Sequence, residues 1–308
     1  MSSAQNISAS VRARLLNIAR KENRPFGELL QYYAMERFLY RLSISRHSDR
    51  FILKGALMLR AWQSPVIRPT MDIDMLGRTD RSEQNLIRQI QEILSTEVAP
   101  DGLAFEPDSI KTEPITEDSD YAGLRIRFCG FLGSARVNIQ IDVGFGDALY
   151  PEPEKLSLPT VLGDKPPMLL CYSRESAIAE KFEAMIKLGF LNSRMKDFYD
   201  IWLLSQQFQF IGKQLAEAVR LTFERRNTMF PEEPDIFATA FAEQKQSQWS
   251  AFRKRLQQEH LPLSFAVIIY DLKQFLLPLI EAVFAGGEMP ALWNKKRGWG
   301  NDNHHPVK

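Results

Sequence analysis

Two aspartates separated by one residue give the clearest chemical signal in this 308-residue chain. In Asp72-Ile73-Asp74, a strand would point both carboxylates to one face and the isoleucine into a core. Two carboxylates this close repel each other unless a cation lies between them. Mg²⁺ prefers oxygen ligands and is commonly held by one or two carboxylates together with substrate phosphates. The pair therefore predicts a metal site that handles phosphate chemistry.

A third carboxylate, Asp142, is expected to join this pair. It shares the polar face of a predicted strand with Asn138 and Gln140, and a carboxylate on the inner part of a sheet needs a partner. If that strand lies beside the strand of the aspartate pair, three carboxylates converge. Such a cluster can hold two metal ions for in-line phosphoryl or nucleotidyl transfer, and one carboxylate can accept the proton of the attacking hydroxyl.

A small-residue turn precedes the pair by about sixteen residues. Around Gly55-Ala56, backbone N–H groups near the start of a helix would suit a triphosphate. The helix expected to contain this turn is predicted over Phe51–Trp62. The sequence thus predicts a phosphate side and a metal side for one site.

Helices and strands must position these groups. Apolar spacing predicts helices around Val11–Ile18, after Pro25 and around Leu86–Leu94. Strands are predicted for Thr70–Leu76, Tyr121–Leu132 and Arg136–Val143, the last two joined by a Gly133-Ser134 turn. Residues 150–168 are rich in proline and predict a loop or linker. Helical spacing resumes from Ser173 to Phe284, and the polar tail after Gly286 is expected to be loosely held.

Composition excludes several classes of protein. Hydrophobic residues make up 44% and charged residues 25% of the chain, as in soluble globular proteins. No apolar run approaches the roughly 20 residues that span a bilayer, and no secretory signal is expected at the start. Cys129 and Cys171 alone form no disulfide framework and no zinc pattern, which fits a cytoplasmic protein.

The charge distribution says more than the net charge of +1. Residues 1–54 hold ten Lys/Arg and four acidic residues, whereas residues 101–165 are acidic. A basic helical region beside an acidic centre suits a polyanion held near a metal site. Two solvated helix faces are the alternative interpretation.

A longer set of sequence motifs resembles one known protein family specifically. It comprises Lys54-Gly55-Ala56-Leu57, Arg68-Pro69-Thr70 before the aspartate pair, Lys181 and Lys196-Asp197-Phe198-Tyr199-Asp200. This set resembles the AbiEii toxin family of the DNA polymerase β-type nucleotidyltransferase superfamily, over roughly residues 10–205. The resemblance implies an α+β fold: a small mixed β-sheet nucleotidyltransferase core with N-terminal helices over 1–165, and a C-terminal helical bundle over 166–308 that completes the active site.

The same resemblance implies a function. Toxins of this family belong to abortive-infection and toxin–antitoxin systems, and some add nucleotides to the acceptor end of tRNA and so block translation. We therefore expect a metal-dependent enzyme of a type IV toxin–antitoxin or phage-defence system that uses Mg²⁺ or Mn²⁺ and an NTP. Its expected partners are an RNA, in particular tRNA, and a cognate antitoxin, without a membrane.

Roles carry over residue by residue. Asp72 and Asp74 resemble the metal-binding pair and Asp142 the third carboxylate. Lys181 resembles the helical lysine that contacts the triphosphate, and Asp197 the acid of the downstream motif, with Asp200 one turn further on. Many superfamily members have serine at the position of Ala56, and the serine hydroxyl would contact a phosphate. In this chain only the backbone can make that contact. The residues predicted to bind the nucleotide are Lys54, Gly55, Ala56, Arg68, Thr70 and Lys181.

Three other interpretations compete. A haloacid-dehalogenase-like phosphotransferase also uses Asp-x-Asp, but its motif ends a hydrophobic strand, whereas Arg68-Pro69-Thr70-Met71 precedes Asp72. A non-catalytic nucleic-acid-binding module on this scaffold would have to keep costly unpaired carboxylates. A calcium-binding EF-hand loop from Asp72 would place Gly77 and Glu83 suitably, but its fifth position is Leu76.

Overall fold

The computed structural model describes residues 3–66, 68–115, 123–256, 258 and 261–300. The chain forms two compact units. The first comprises Met1–Asp147 and Pro153–Tyr172, and the second comprises Ala148–Glu152 and Ser173–Lys308. The sequence-based division, in comparison, falls after residue 165.

A seven-stranded mixed sheet forms the centre of the first unit. Its strands are β1 (Phe51–Lys54), β2 (Ile73–Gly77), β3 (Leu103–Ile115), β4 (Gly123–Leu132), β5 (Ala135–Phe145), β6 (Glu154–Ser157) and β7 (Met168–Cys171). Their order is β3-β4-β5-β2-β1-β7-β6. β2 runs parallel to β5 and antiparallel to β1, and β1 runs parallel to β7. The predicted α+β class and mixed sheet are therefore confirmed, and the sheet is larger than the sequence indicated.

Helices pack on this sheet. They are α1 (Ser3–Glu22), α2 (Phe26–Ile44), α3 (Met58–Ala61) and α4 (Glu83–Leu94). Phe38 of α2 contacts Phe128 of β4 with ring centroids 5.4 Å apart. Ile139 and Ile141 of β5 are buried in the same apolar core. Burial of these side chains removes apolar surface from water and holds the sheet against α2.

The hairpin of β4 and β5 follows its sequence pattern. Gly133 adopts φ +61°, as a tight turn requires, and Leu132 pairs with Ala135 across it. Alternate residues of β5 are buried, which turns the residues between them, including Asp142, to the other face. The turn thus fixes which residues of the two strands stand opposite each other.

The helix predicted over Phe51–Trp62 is wrong. The structure has the strand β1, then a short 3-10 helix over Gly55–Leu57, then α3. Phe51, Ile52 and Leu53 are all buried, with β2 on one side and β7 on the other. A strand buried on both faces reads as a continuous apolar run, which periodicity alone cannot distinguish from a helix.

Two further predictions need correction. The strand predicted from Thr70 begins at Ile73, because side chains of α2 rather than a neighbouring strand bond the backbone before it. The loop predicted over residues 150–168 contains β6, whose side chains are mostly exposed.

The sequence analysis also missed the edge strand β3. This strand contains two prolines, which it tolerates because one side of an edge strand needs no hydrogen-bond partner.

The second unit is mainly helical. Its elements are α5 (Arg174–Leu188), α6 (Met195–Gln207), α7 (Gly212–Arg225), α8 (Thr239–Leu256), α9 (Phe265–Phe284) and a small sheet of β8 (Phe210–Ile211), β9 (Leu292–Asn294) and β10 (Gly298–Gly300). Aromatic rings fill its core, with Phe198, Phe241 and Phe265 in mutual contact. Within the described ranges, no helix is both long and apolar enough to cross a membrane.

The tail is more ordered than its polar composition predicted. Trp293 of β9 is buried, and its indole Nε1 donates a hydrogen bond to the Ser205 carbonyl oxygen at 2.8 Å. The expectation of a loosely held tail is therefore wrong for residues 292–300, which form β9, β10 and the turn between them. Residues 301–308 lie outside the described part of the chain.

Candidate active site

Three carboxylates of the first unit converge at the two adjacent inner strands β2 and β5 of the sheet. Parallel pairing of β2 and β5 places Asp74 directly beside Asp142, and Asp72 lies two residues before Asp74. One oxygen of each carboxylate lies within 4.8 Å of the other two, and all three residues are half-buried. The sequence predicted this set from spacing, and the strand register is what brings the third member to the pair.

The turn at Gly55 lies against this cluster. Antiparallel pairing places Lys54 opposite Asp74, and Gly55 follows with φ +72°. A Cβ atom at position 55 would lie 1.9 Å from Asp74 Oδ2. Glycine is therefore required twice, for the left-handed backbone and for the space that the carboxylate occupies. Ala56 is buried beside it, at 5% exposure.

Arg125 holds the third carboxylate and was missed in the sequence. It stands opposite Asp142 across the β4–β5 pair. Its Nε donates to Asp142 Oδ1 at 2.8 Å and its Nη2 donates to Oδ2 at 2.7 Å. The hydrogen bond with Asp142 raises the pKa of Arg125 above its ordinary value. Counting back from the predicted turn at residues 133–134 would have placed this arginine opposite the aspartate.

The bidentate contact fixes Asp142 without using all its lone pairs. A carboxylate offers about four acceptor positions, of which a forked guanidinium takes two. Asp142 therefore remains a possible metal ligand while Arg125 sets its orientation. The charge of the guanidinium also offsets part of the repulsion among the three acids.

A buried carboxylate, Asp147, holds the lysine of the turn. Lys54 Nζ lies 2.7 Å from Asp147 Oδ2, and the Tyr172 hydroxyl donates to the same oxygen at 3.1 Å. Lys54 Nζ also lies 5.3 Å from the centre of the Tyr172 ring. The sequence predicted Lys54 at the site but missed both of its partners, which follow β5 and β7 in the chain.

The segment between the Gly55 turn and the aspartates contacts the carboxylate cluster through Thr70. The Thr70 hydroxyl donates a hydrogen bond to Asp72 Oδ1, and Thr70 is buried. Arg68 is half-exposed. Their predicted contact with a nucleotide remains a prediction.

The remaining predicted residues form a cluster within the second unit. Lys181 Nζ of α5 lies 2.8 Å from Asp197 Oδ1 and 3.0 Å from Asp200 Oδ2 of α6. Arg194 Nε lies 2.7 Å from the other oxygen of Asp197, whose side chain is fully buried. Two cations thus compensate two largely buried carboxylates, as buried charges require. The role predicted for this cluster in nucleotide binding remains a prediction.

The three acids of the first unit fit a divalent metal. Their donor atoms are all carboxylate oxygens, which suit Mg²⁺ or Mn²⁺ rather than a thiophilic ion. Their oxygens lie close enough for one ion to be shared among them. The donor set therefore agrees with the metal that the sequence predicted, although it does not select between the two ions.

Comparison with known proteins identifies the class as nucleotidyltransferase. Residues 37–277 match the family of AbiEii nucleotidyl transferase toxins of type IV toxin–antitoxin systems. Because this match covers more than half of the sequence, the chain belongs to that family. The family recognised from the motifs and the expectation of an enzyme are confirmed, and the family implies a nucleotide substrate and an antitoxin partner.

Two solved structures from Helicobacter pylori are also similar. JHP933 is 12% identical, and the match covers 84% of this chain and 94% of that chain with a TM-score of 0.45. A proposed nucleotidyltransferase is 12% identical, and its match covers 84% of this chain and 98% of that chain, also with a TM-score of 0.45. Curated proteins give no significant match.

Proposed function

We propose that this protein transfers a nucleoside monophosphate from an NTP to the end of an RNA, in a reaction that requires Mg²⁺ or Mn²⁺. The observation that carries the proposal is the convergence of Asp72, Asp74 and Asp142, with oxygens within 4.8 Å of one another. The adjoining turn at Gly55 supports it, because it brings backbone against the same carboxylates. Membership of a nucleotidyltransferase family supplies the reaction class.

The proposed reaction is an in-line displacement at the α-phosphorus. The terminal hydroxyl oxygen of the RNA forms a bond to that phosphorus, the bond to the bridging oxygen breaks, and pyrophosphate leaves. A carboxylate of the cluster accepts the hydroxyl proton. When bound, the metal ions supply positive charge that stabilises the attacking and leaving oxygens. Asp72, Asp74 and Asp142 would hold these ions, and Arg125 orients the last of the three.

The proposed acceptor is the tRNA acceptor end, so that the modification blocks translation in the cytoplasm. The resemblance to tRNA-modifying members supports this choice. Exposed basic residues of α1 support a polyanionic partner, since Lys/Arg contacts to phosphates supply most of the sequence-independent affinity for nucleic acids. These residues are Arg12, Arg14, Arg20 and Lys21. A role in phage defence and neutralisation by a cognate antitoxin belong to the same proposal.

The cluster in the second unit is proposed to help bind the nucleotide. Its members are Lys181, Asp197 and Asp200. Lys181 would contact the triphosphate as a point charge, and the two buried aspartates would hold its ammonium group in place. This assignment rests on the resemblance and on the unusual burial of the cluster.

The test is transfer by carboxylate variants. Purified protein with Mg²⁺, total RNA and each labelled NTP in turn is expected to label an RNA. Asp72→Asn, Asp74→Asn and Asp142→Asn should each reduce labelling by more than about 100-fold, because even outer partners of metal ligands are worth about 10–100-fold. Asp80→Asn is the matched control, since Asp80 is exposed and caps the backbone of Ser82.

Two outcomes would count against the proposal. Undiminished transfer by Asp72→Asn and Asp74→Asn would remove the metal site from the reaction. Release of inorganic phosphate from simple phosphomonoesters, without nucleotide transfer, would favour the phosphotransferase alternative.

A further inference from the structure

Asp72 differs from the other two acids in how it is held. Asp74 and Asp142 are members of paired strands, so the ladder of β2 and β5 fixes both backbones. Asp72 precedes the first residue of β2 and has no partner in that ladder. A carboxylate outside the sheet reaches the other two only if another part of the fold holds its backbone in place.

Gln31 of α2 bonds the backbone next to Asp72. Its Nε2 donates to the Met71 carbonyl oxygen at 3.1 Å and to the Asn138 carbonyl oxygen at 2.9 Å. Asn138 belongs to β5, the strand of the third acid. One buried amide group, 7% exposed, therefore ties the approach to Asp72 to the strand that carries Asp142.

Tyr32, the next residue of α2, bonds the same segment. Its hydroxyl oxygen accepts a hydrogen bond from the Thr70 backbone N–H at 2.9 Å, and the ring is 4% exposed. The Arg60 guanidinium lies 4.9 Å from the ring centre, so cation–π attraction helps hold the ring in place. Thr70 in turn donates through its hydroxyl to Asp72. A continuous chain of contacts runs from Tyr32 through Thr70 to the carboxylate.

We propose that Gln31 and Tyr32 are positioning residues of the metal site, which hold the backbone of Thr70 and Met71 so that Asp72 completes the carboxylate cluster. The inference rests on the proposed function, because it assigns a metal to that cluster. Loss of the Tyr32 hydroxyl leaves the buried Thr70 backbone N–H without its partner, and loss of the Gln31 amide leaves the Met71 carbonyl oxygen without its partner. The backbone can recover that hydrogen bond from water by shifting, and such a shift would carry Asp72 away from Asp74.

A matched control lies one residue away. Tyr33 is also on α2 and is buried, and its hydroxyl donates to the Asp101 carbonyl oxygen at 2.7 Å. Tyr32→Phe and Tyr33→Phe each remove one buried hydroxyl from the same helix. A purely structural role predicts similar effects for both, whereas a positioning role predicts that only Tyr32→Phe weakens metal binding.

The experiment measures Mn²⁺ affinity by electron paramagnetic resonance of the free ion, using the full chain with and without a non-hydrolysable NTP. Tyr32→Phe and Gln31→Met are expected to weaken Mn²⁺ binding by about 10–100-fold. Tyr33→Phe should bind as the unsubstituted protein does, and Asp72→Asn should show the largest loss. Thermal unfolding of each variant shows whether it is folded, and Gln31→Met carries the test if Tyr32→Phe does not fold.

The results separate this inference from the proposed function. Unchanged Mn²⁺ affinity in folded Tyr32→Phe and Gln31→Met overturns the positioning role, even if the protein transfers nucleotides. Weakened affinity in both variants supports it, even if transfer to RNA is not found. An unsubstituted protein that binds no Mn²⁺ under either condition overturns it as well.

Discussion

Gly55 shows how a single residue constrains the proposed site. Its missing side chain leaves the space in which the Asp74 carboxylate lies, and its positive φ turns the chain from β1 into the short helix that follows. The sequence indicated a small-residue turn near the acids. It did not indicate that the Asp74 carboxylate lies where a side chain at position 55 would have to be. That contact depends on the pairing of β1 with β2.

Gly55→Ala is expected to reduce nucleotide transfer by at least about 100-fold. The added methyl group must displace Asp74 Oδ2, and a misplacement of about 1 Å in a catalytic arrangement can reduce the rate by about that factor. The measurement is the rate of RNA labelling by purified protein, with thermal unfolding recorded in parallel.

Gly163→Ala is the control for backbone strain. Gly163 has φ +74°, almost the same as Gly55, but nothing lies within 4 Å of its added Cβ. A left-handed conformation destabilises a non-glycine residue by about 1–3 kcal/mol, so both variants should lose stability while only Gly55→Ala loses transfer. Equal transfer by the two variants would contradict the steric account of Gly55.

At the scale of elements, α2 supports more than the apolar core. Besides Gln31 and Tyr32 it carries Glu36, which accepts a hydrogen bond from the Val161 backbone N–H at 2.8 Å. The next residue, Arg37, donates to the Lys165 carbonyl oxygen at 3.0 Å. These contacts attach the segment between β6 and β7 to the helix. Burial raises the pKa of Glu36 to about 7.

Glu36 therefore makes stability depend on pH. The folded protein binds this proton more tightly than the unfolded chain, whose glutamate has its ordinary pKa near 4.5. The stabilising contribution is complete below that value and is lost as the pH rises through about 7. The change in the free energy of unfolding should be on the order of 3 kcal/mol at most.

Glu36→Gln should remove this part of the pH dependence. Urea unfolding between pH about 4.5 and about 8 measures the free energy of unfolding of both proteins, and their difference isolates Glu36 from other titrating groups. An identical pH dependence in the two proteins would contradict the burial-induced rise in pKa.

Whether a helix or strand could be predicted from the sequence depends on how many of its faces are buried. The amphipathic helix α4 and the hairpin of β4 and β5 each bury one face, so their sequences carry a clear period. β1 is buried on both faces and was predicted as a helix, whereas the edge strands β3 and β6 are too polar to be recognised. Periodicity is informative only where one face of an element meets water.

At the scale of the whole molecule, the sequence predicted the three acidic residues of the site better than the residues that hold them in place. Asp72, Asp74 and Asp142 were found from spacing and from resemblance to a family, and they converge as expected. Arg125, Asp147 and the α2 residues Gln31 and Tyr32 were missed. Their partners are chosen by strand register and helix packing, which short-range pattern does not specify. The described residues of the second unit keep Lys181 and its two aspartates together.

Our principal proposal is that the chain attaches a nucleotide to RNA, and family membership and the carboxylate cluster support its nucleotidyl-transfer chemistry. Nucleotidyl transfer moves the α-phosphate, whereas a phosphotransferase moves the terminal phosphate of the NTP. The position of the label in the product therefore distinguishes the two reactions.

The most direct measurement uses total RNA, Mg²⁺ and each of the four NTPs, labelled at either the α- or the γ-phosphate. We expect α-label to become attached to RNA for at least one NTP and γ-label to appear in pyrophosphate, and we expect Asp74→Asn to abolish both. Attachment of γ-label to RNA, or release of phosphate without α-label on any RNA, would contradict this proposal.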